Sequence, residues 1–380
     1  MTTTGTPAWL ATRNDRAALR LLLAHGPLSR SQLGTLSGMS KPTAGQMITR
    51  LERVGLISPA GAVTGARGPN AVSYGVRVDS LTGVAISILD DRIEAVLVDP
   101  VDRVHPVVVQ PLPTGKRSPG SDVERAIDAA VRASGLVRES VGIVAVGVQA
   151  AFDDVADRLS LTDSLPGWPE HGARAQIEAR TGLAVILEND VNLATLAEVA
   201  DTGADDFAYL WLGVGLGAGL FSGGSLRRGA AGASGEIGYL EVPRSAGAMD
   251  PDAGDFTDLL GEPALRKLLN APDLASALVK LPGEPLALEA LAARIALLVE
   301  PLVAVADPAL VILGGPTGMV GGDLLADLTQ AQLAARGRRV HVRTGRAGAH
   351  PVLLGLRRML VDSIRKRLED AIDASTGKEN

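Results

Sequence analysis

"GVGLGAGLFSGGSLRRGAAGASGEIGYLEV" runs from Gly213 to Val242. It continues an uncharged stretch, Phe207 to Leu226, whose twenty residues match a bilayer crossing in length. Six of those twenty are glycine, so the stretch reads as two buried strands about a glycine turn rather than as a membrane span. Further on, a single carboxylate, Glu236, sits between Gly235 and Gly238, with Tyr239 three residues after it. Glycines let a loop pass close to neighbouring backbone, so this one can carry an acid into a cleft. The alternative is an ordinary surface acid.

The same grammar extends along most of the chain. From Tyr74, apolar runs of strand length alternate with helical segments: "VGIVAVGVQAAFD" (141–153) is a buried strand, "HGARAQIEARTG" (171–182) a helix, and "AVILENDVNLATLAEVA" (184–200) a strand running into a helix. "PALVILGGPTG" (308–318) is another strand, ending in Gly314-Gly315. Alternating strands and helices with glycines at strand ends predict an α/β fold with a ligand cleft at the strand termini. Glu188-Asn189-Asp190 stand at one such junction, where Asp190 is a candidate ligand or, alternatively, a helix N-cap.

The 380 residues suffice for two or three compact units, and the chain has no cysteine, which removes disulfides and thiolate metal sites. That absence, with an N-terminus lacking a basic-then-apolar signal pattern, fits a cytoplasmic protein. The net charge of −6 conceals an asymmetry. Residues 1–77 hold nine Lys/Arg against two acids, a balance of +7 that leaves −13 on the remainder. A basic head on an acidic body points to a polyanionic partner for the head.

Within the head, "NDRAALRLLLAHGP" (14–27) is a helix with Asn14 as candidate N-cap. A second helix opens on Ser29 with Gln32 at capping-box spacing, and a third opens at Ser40 with Pro42 in its first turn and runs to Gly55. Leu33, Leu36, Met47, Ile48 and Leu51 supply a shared apolar seam. This is helix-turn-helix patterning. Ser40 opens the recognition helix, and Lys41, Thr43, Gly45, Gln46 and Arg50 fall on the face away from the seam. Gln can read adenine, while Lys and Arg reach guanine or phosphate. Two short strands follow as a wing, ending in Arg67-Gly68-Pro69. An arginine on a narrow, flexible backbone suits a minor groove; a linker turn is the alternative. For the head as a whole the alternative is a small helical domain whose charged face is only solvated.

The body's motifs resemble those of the ROK family of repressors, open reading frames and sugar kinases. The resemblance rests on "LPGW" (165–168), "LENDVNLATLAE" (187–198), the segment 213–242 and "DPALVILGG" (307–315). It implies an actin-like, hexokinase-like body of two lobes. With the head it gives the architecture of the family's sugar-responsive repressors, such as those for xylose and N-acetylglucosamine. The expected division is a winged helix-turn-helix domain over 1–74 and a body over 75–380. Its lobes span about 75–190 with the C-terminal helix, and about 191–345. Carried over by position, the resemblance assigns Asn189, Asp190 and Glu236 to sugar hydroxyls, with Tyr239 where the family has a histidine.

Three departures from the family pattern matter. Asp79-Ser80-Leu81-Thr82-Gly83 replaces the glycine-rich first phosphate loop, and Val214 replaces a threonine in the second. A side chain at Leu81 stands where backbone amides should meet phosphate. The family's cysteine-rich zinc knuckle is absent, together with its histidine. The resulting expectation is a non-enzymatic, cytoplasmic transcription regulator with no cofactor and no metal. It acts as a homodimer or higher homo-oligomer on a double-stranded DNA operator, with a sugar or sugar derivative as effector. The rivals are a sugar kinase with a DNA-binding head, and a ligand-independent regulator whose body serves only to dimerise.

Overall fold

The computed structural model describes residues 5–63, 71–112, 117–161 and 165–376. Arg67 and Gly68 therefore lie outside the described residues.

The chain begins with helix α1, Pro7–His25. Its cap is Thr6, not Asn14: the Thr6 hydroxyl accepts from the Trp9 amide, and Pro7 fits the first turn. The helix thus starts about two turns earlier than its leucine pattern alone implies. Strand β1 (Leu28–Ser29) leads into α2 (Arg30–Ser37), where Ser29 and Gln32 form the expected capping box. Helix α3 (Lys41–Arg53) is capped by Ser40, whose hydroxyl accepts from the Thr43 amide. Strands β2 (Ile57–Val63) and β3 (Ala71–Val76) pair antiparallel as the wing, with β1 on the outer side of β3. Leu33, Met47, Ile48 and Leu51 are buried, but Leu36 is 47% exposed; Ala44 packs in the seam in its place.

Two five-stranded sheets form the body. The first contains β4 (Thr82–Ile88), β5 (Arg92–Val98), β6 (Val108–Pro111), β7 (Val141–Val148) and, after a β8–β9 hairpin (Ala151–Asp153, Arg158–Ser160), β10 (Ala184–Asn189). Helices α4 (Pro119–Ser134) and α5 (Ala173–Thr181) lie in the same lobe. Helix α6 (Asp190–Thr202) then leads to the second sheet. Its strands are β11 (Phe207–Leu212), β12 (Leu216–Ser222), β13 (Ser225–Arg227), β14 (Leu310–Gly314) and β15 (His341–Thr344). Between β13 and β14 come α7 (Phe256–Leu260), α8 (Glu262–Leu269), α9 (Leu274–Lys280) and α10 (Pro285–Ala306), and α11 (Gly315–Ala335), kinked at Gly322, connects β14 to β15. The two sheets run β10-β7-β4-β5-β6 and β13-β12-β11-β14-β15. In each, three neighbouring strands are parallel and the other two pairings antiparallel, so the lobes repeat one topology. The uncharged stretch at 207–226 is indeed a buried antiparallel pair.

Helix α12 (Pro351–Thr376) closes the chain and touches everything that matters. On one side it packs along α6 so closely that a Cβ on Gly355 would lie 2.0 Å from the Leu193 carbonyl oxygen, a gap only glycine allows. Arg358 Nη1 donates to the carbonyls of Leu196 and Ala197 at 2.8 and 2.5 Å. On its other side, α1 packs against it. Leu19 and Leu22 of the head and Leu360, Ile364, Leu368 and Ile372 of α12 belong to one continuous buried cluster. At the edge Arg20 makes a bidentate pair with Glu369, both contacts 2.7 Å, and Arg16 pairs with Asp373.

These pairs correct the reading of the head's charge. Arg16 and Arg20 serve the body, and Arg77 pairs with Asp79. Arg50 was expected on the DNA face. Instead its Nε and Nη2 donate to both oxygens of Asp15, at 2.7 Å each, tying α3 to α1. Asp15 is 3% exposed, and burial pushes its carboxyl upward despite the guanidinium. Arg50→Ala would strand that acid, so it should cost the head about 3–5 kcal/mol in urea unfolding, while Asp15→Leu with Arg50→Met should recover most of the loss. An Arg50→Ala head as stable as wild type would show the pair to be inert.

Candidate effector site and DNA-facing helix

The lobes enclose a cavity of about 310 Å³. Its floor is the β10–α6 junction. Asn189 caps α6: its Oδ1 accepts from the Asn192 amide at 3.0 Å and its Nδ2 donates to the Ala150 carbonyl at 3.2 Å. The amide lines the cavity, yet both ends already hold protein groups. Because Asn189 takes the cap, Asp190 is released from that role and sits at the first helical position, 8% exposed and lining the cavity. Its Oδ1 accepts from the Val191 amide at 2.8 Å, and Oδ2 takes no hydrogen bond among the described residues.

Glu236 arrives from the opposite lobe. Gly235 has φ 91°, and a Cβ there would lie 1.7 Å from the Ala218 carbonyl oxygen. The Ala218 amide donates to the Gly235 carbonyl at 2.8 Å. The loop is thus stitched to β12 at a separation only glycine permits, which aims the next residue inward. The half-buried Glu236 carboxylate accepts no hydrogen bond among the described residues. Tyr239, 55% exposed, stands at the rim. The sequence had brought these four residues together, and all four line one cavity.

It had not brought in Asp90, Trp211 or Thr257, which line the same space. Asp90 occupies the β4–β5 turn and reads locally as turn chemistry; only sheet topology carries that turn to the cleft. Trp211 lies in a strand pattern that reads as core. Beside Thr257, Asp258 completes a capping box with Asp255.

Electrostatically the cavity is acidic throughout. Burial, reinforced by Glu236 and Asp90 and opposed by the Val191 amide, pushes the Asp190 carboxyl up to about 7. Burial also raises Glu236 and Asp90, the latter with help from Asp91.

The helix α3 face is a shallow groove lined by Arg30, Lys41, Pro42, Gly45, Gln46 and Thr49, and by Arg50 and Arg53 as well. Lys41 and Gln46 are exposed, while Thr43 shares its hydroxyl with the Ser40 cap, 2.9 Å away. A Cβ on Gly45 would meet nothing within 4 Å, so no neighbour in the protein requires glycine there. The bare backbone leaves a dent in the outer face.

The region of the kinase phosphate loop is filled differently. Leu81 packs onto the α12 cluster, with its Cδ1 where a Cβ of Gly142 would stand, 2.5 Å from it. Asp79 is held by Arg77 at 3.1 and 3.0 Å. Val214 is 52% exposed on the cavity wall.

Residues 84–356 match the model of the ROK family. The chain belongs to the ROK family. Residues 12–58 match the MarR family model, which makes the head a MarR-type winged helix. Among relatives of this ROK chain, the Bacillus subtilis xylose repressor is 22% identical over 236 residues, covering 60% of each protein. A Listeria innocua beta-glucoside kinase is 37% identical over 132 residues, covering 34% of this chain and 38% of the kinase. The chain therefore spans less than two thirds of the length of either curated relative. In fold it is similar to a ROK family transcriptional regulator, a homologue of the E. coli MLC protein. The TM-score is 0.67 at 16% identity, over 96% of this chain and 99% of that one.

The raised Asp190 carboxyl carries a pH signature. Its native value exceeds the ordinary 3.8, so the folded state binds the proton more tightly, and stability falls as pH rises from about 4 to about 7. Asp190→Asn abolishes this loss. The variant should match wild type in thermal unfolding near pH 4 and exceed it by about 4 kcal/mol at most at pH 8. A pH-independent difference would contradict the buried, charge-crowded carboxyl.

Proposed function

We propose that the chain is a DNA-binding transcriptional regulator, a repressor, whose ROK body senses a sugar or sugar derivative. Residues 1–74 read a double-stranded operator, and the body over 75–380 holds the effector between its lobes. The protein works as a homodimer in the cytoplasm and catalyses no reaction. One observation carries this reading: α6, whose first residue is Asp190, and α1, which braces the recognition helix through Asp15–Arg50, pack on the same helix, α12.

Sugar hydroxyls are donors, and the open oxygens of Asp190 and Glu236 are strong acceptors for them. A ligand that prefers one lobe arrangement biases α6 and α12, and through α1 the presentation of α3. Lys41, Gln46 and the Gly45 dent face the major groove, Ser40 and Thr43 present the N-terminal turn to phosphate, and Arg67-Gly68 enters the minor groove. Arg50, which also lines the groove, orients α3 through its pair with Asp15. Against kinase activity stand Leu81 and the Arg77–Asp79 pair, which occupy the place of the first phosphate loop, and Val214, which lacks the hydroxyl of a threonine in the second. The regulators among its relatives support the reading: the ROK transcriptional regulator matches over 96% of the chain, whereas the Thermus thermophilus ROK hexokinase matches over 75% of it.

The test is a gel-shift titration on a two-fold symmetric operator with half-sites one or two duplex turns apart, each roughly 34–36 Å. A panel of pentoses, hexoses and their derivatives serves as effector. Wild type should lose operator affinity by 5- to about 150-fold, the range of 1–3 kcal/mol of coupling. Asp190→Ala and Glu236→Ala should bind operator normally and ignore the effector. Gln46→Ala should relax base preference by about 1–3 kcal/mol at one position, and Lys41→Ala should weaken all sequences alike and lower the salt slope by about one. An identical effector response in wild type and both carboxylate variants would leave the body as a dimerisation platform.

A further inference from the structure

Among the described residues three carboxylates border the cavity, Asp90 and Asp190 from the first lobe and Glu236 from the second, and no Lys, Arg or His lines it. We propose that the effector carries a positively charged nitrogen: it is an amino sugar or aminopolyol with a free ammonium group, not a neutral or phosphorylated sugar. This rests on reading the cavity as the effector site, and it narrows the chemistry that site accepts.

The argument begins with what each acid already has. Asp190 is 8% exposed, and its Oδ2 accepts nothing among the described residues. Glu236 accepts nothing there either. Asp90 stands on the β4–β5 turn beside Asp91. A neutral polyol donates hydrogen bonds to one or two such groups but leaves their mutual repulsion in place. When the lobes close and expel water, that repulsion grows, because the effective dielectric falls. A single ammonium among them reverses the sign of the interaction and supplies three donors. Burial raises all three carboxyls, and at Asp190 Glu236 and Asp90 add to the rise, which is the crowding that a cation would relieve.

The walls fit the same ligand. Trp211 and Tyr239 are among the lining residues, and aromatic rings attract a cation and also pack against a sugar ring. A metal ion is a poorer occupant: among the described residues no group of three or more His, Cys, Asp or Glu is arranged to hold one. A phosphate would enter an acidic cavity with no basic group to meet it.

The experiment is calorimetry on the full-length protein with glucosamine and 6-amino-6-deoxyglucose. Each is compared with glucose, N-acetylglucosamine and glucose 6-phosphate at fixed ionic strength. At least one of the two amines should bind roughly tenfold or more tightly than glucose, and glucose 6-phosphate should not bind. Asp90→Asn should cut the amine-to-glucose ratio at least about threefold, with operator binding in the absence of ligand confirming that the variant is folded. Glucose or its N-acetylated derivative binding as tightly as both amines, or binding of the phosphate, overturns the ammonium assignment while leaving the sugar site standing. No heat from any of the five, in wild type and Asp190→Ala alike, overturns the effector-site reading and this inference with it.

Discussion

Everything in the molecule hangs on the seating of α12 between α6 and α1. The helix needs two apolar faces and a notch. Gly355 supplies the notch, letting it lie against the Leu193 carbonyl, and Arg358 locks that contact by donating to two α6 carbonyls. Its other face gives Ile364, Leu368 and Ile372 to a core that also contains Leu19 and Leu22 of the head. The polar edge, Arg20–Glu369 and Arg16–Asp373, is exposed enough to contribute only about 0.2–1 kcal/mol per pair. Apolar packing therefore holds the head on the body, and the ion pairs fix its orientation.

This seating explains why the charge of the head is partitioned. Arg16 and Arg20 face the body, Arg50 braces α3 through Asp15, and Arg77 pairs with Asp79. Lys41 and Gln46 remain on the outer face. In the body, Asp90, Asp190 and Glu236 line a cavity with no Lys, Arg or His among its described lining residues. In the proposed function one end of the α6–α12–α1 stack meets a ligand rich in donors, and the other a polyanion.

Much of this was legible in the residues because it is local. Ser29 with Gln32, Ser40 with Pro42 and the helical spacing of Met47, Ile48 and Leu51 fix the helices of the head, and glycines at strand ends mark the cleft. Asn189 and Asp190 could be placed because motif and strand–helix junction coincide, and Glu236 because its motif lies in a glycine-padded loop. What escaped was tertiary. Nothing near Arg50 in sequence says that Asp15, thirty-five positions away, will take it up. Asp90 looks like a turn residue until the sheet carries its hairpin to the cavity. The N-cap at Asn189 instead of Asp190 was a choice between adjacent residues that capping preference alone does not decide, and it is the choice that leaves Asp190 an open oxygen.

The central claim is that the cavity and the recognition helix communicate through α12. Contiguous packing provides the route, and only a coupling measurement establishes that it is used. The direct measurement is effector-dependent operator affinity in the Arg16→Ala, Arg20→Ala double variant, with effector binding and effector-free operator binding measured beside it. The account predicts that both separate affinities stay within about threefold of wild type while the effector's influence on operator binding falls by about 0.4–2 kcal/mol, the range of the two pairs together. An undiminished influence in a variant that has lost both ion pairs to α12 would contradict it.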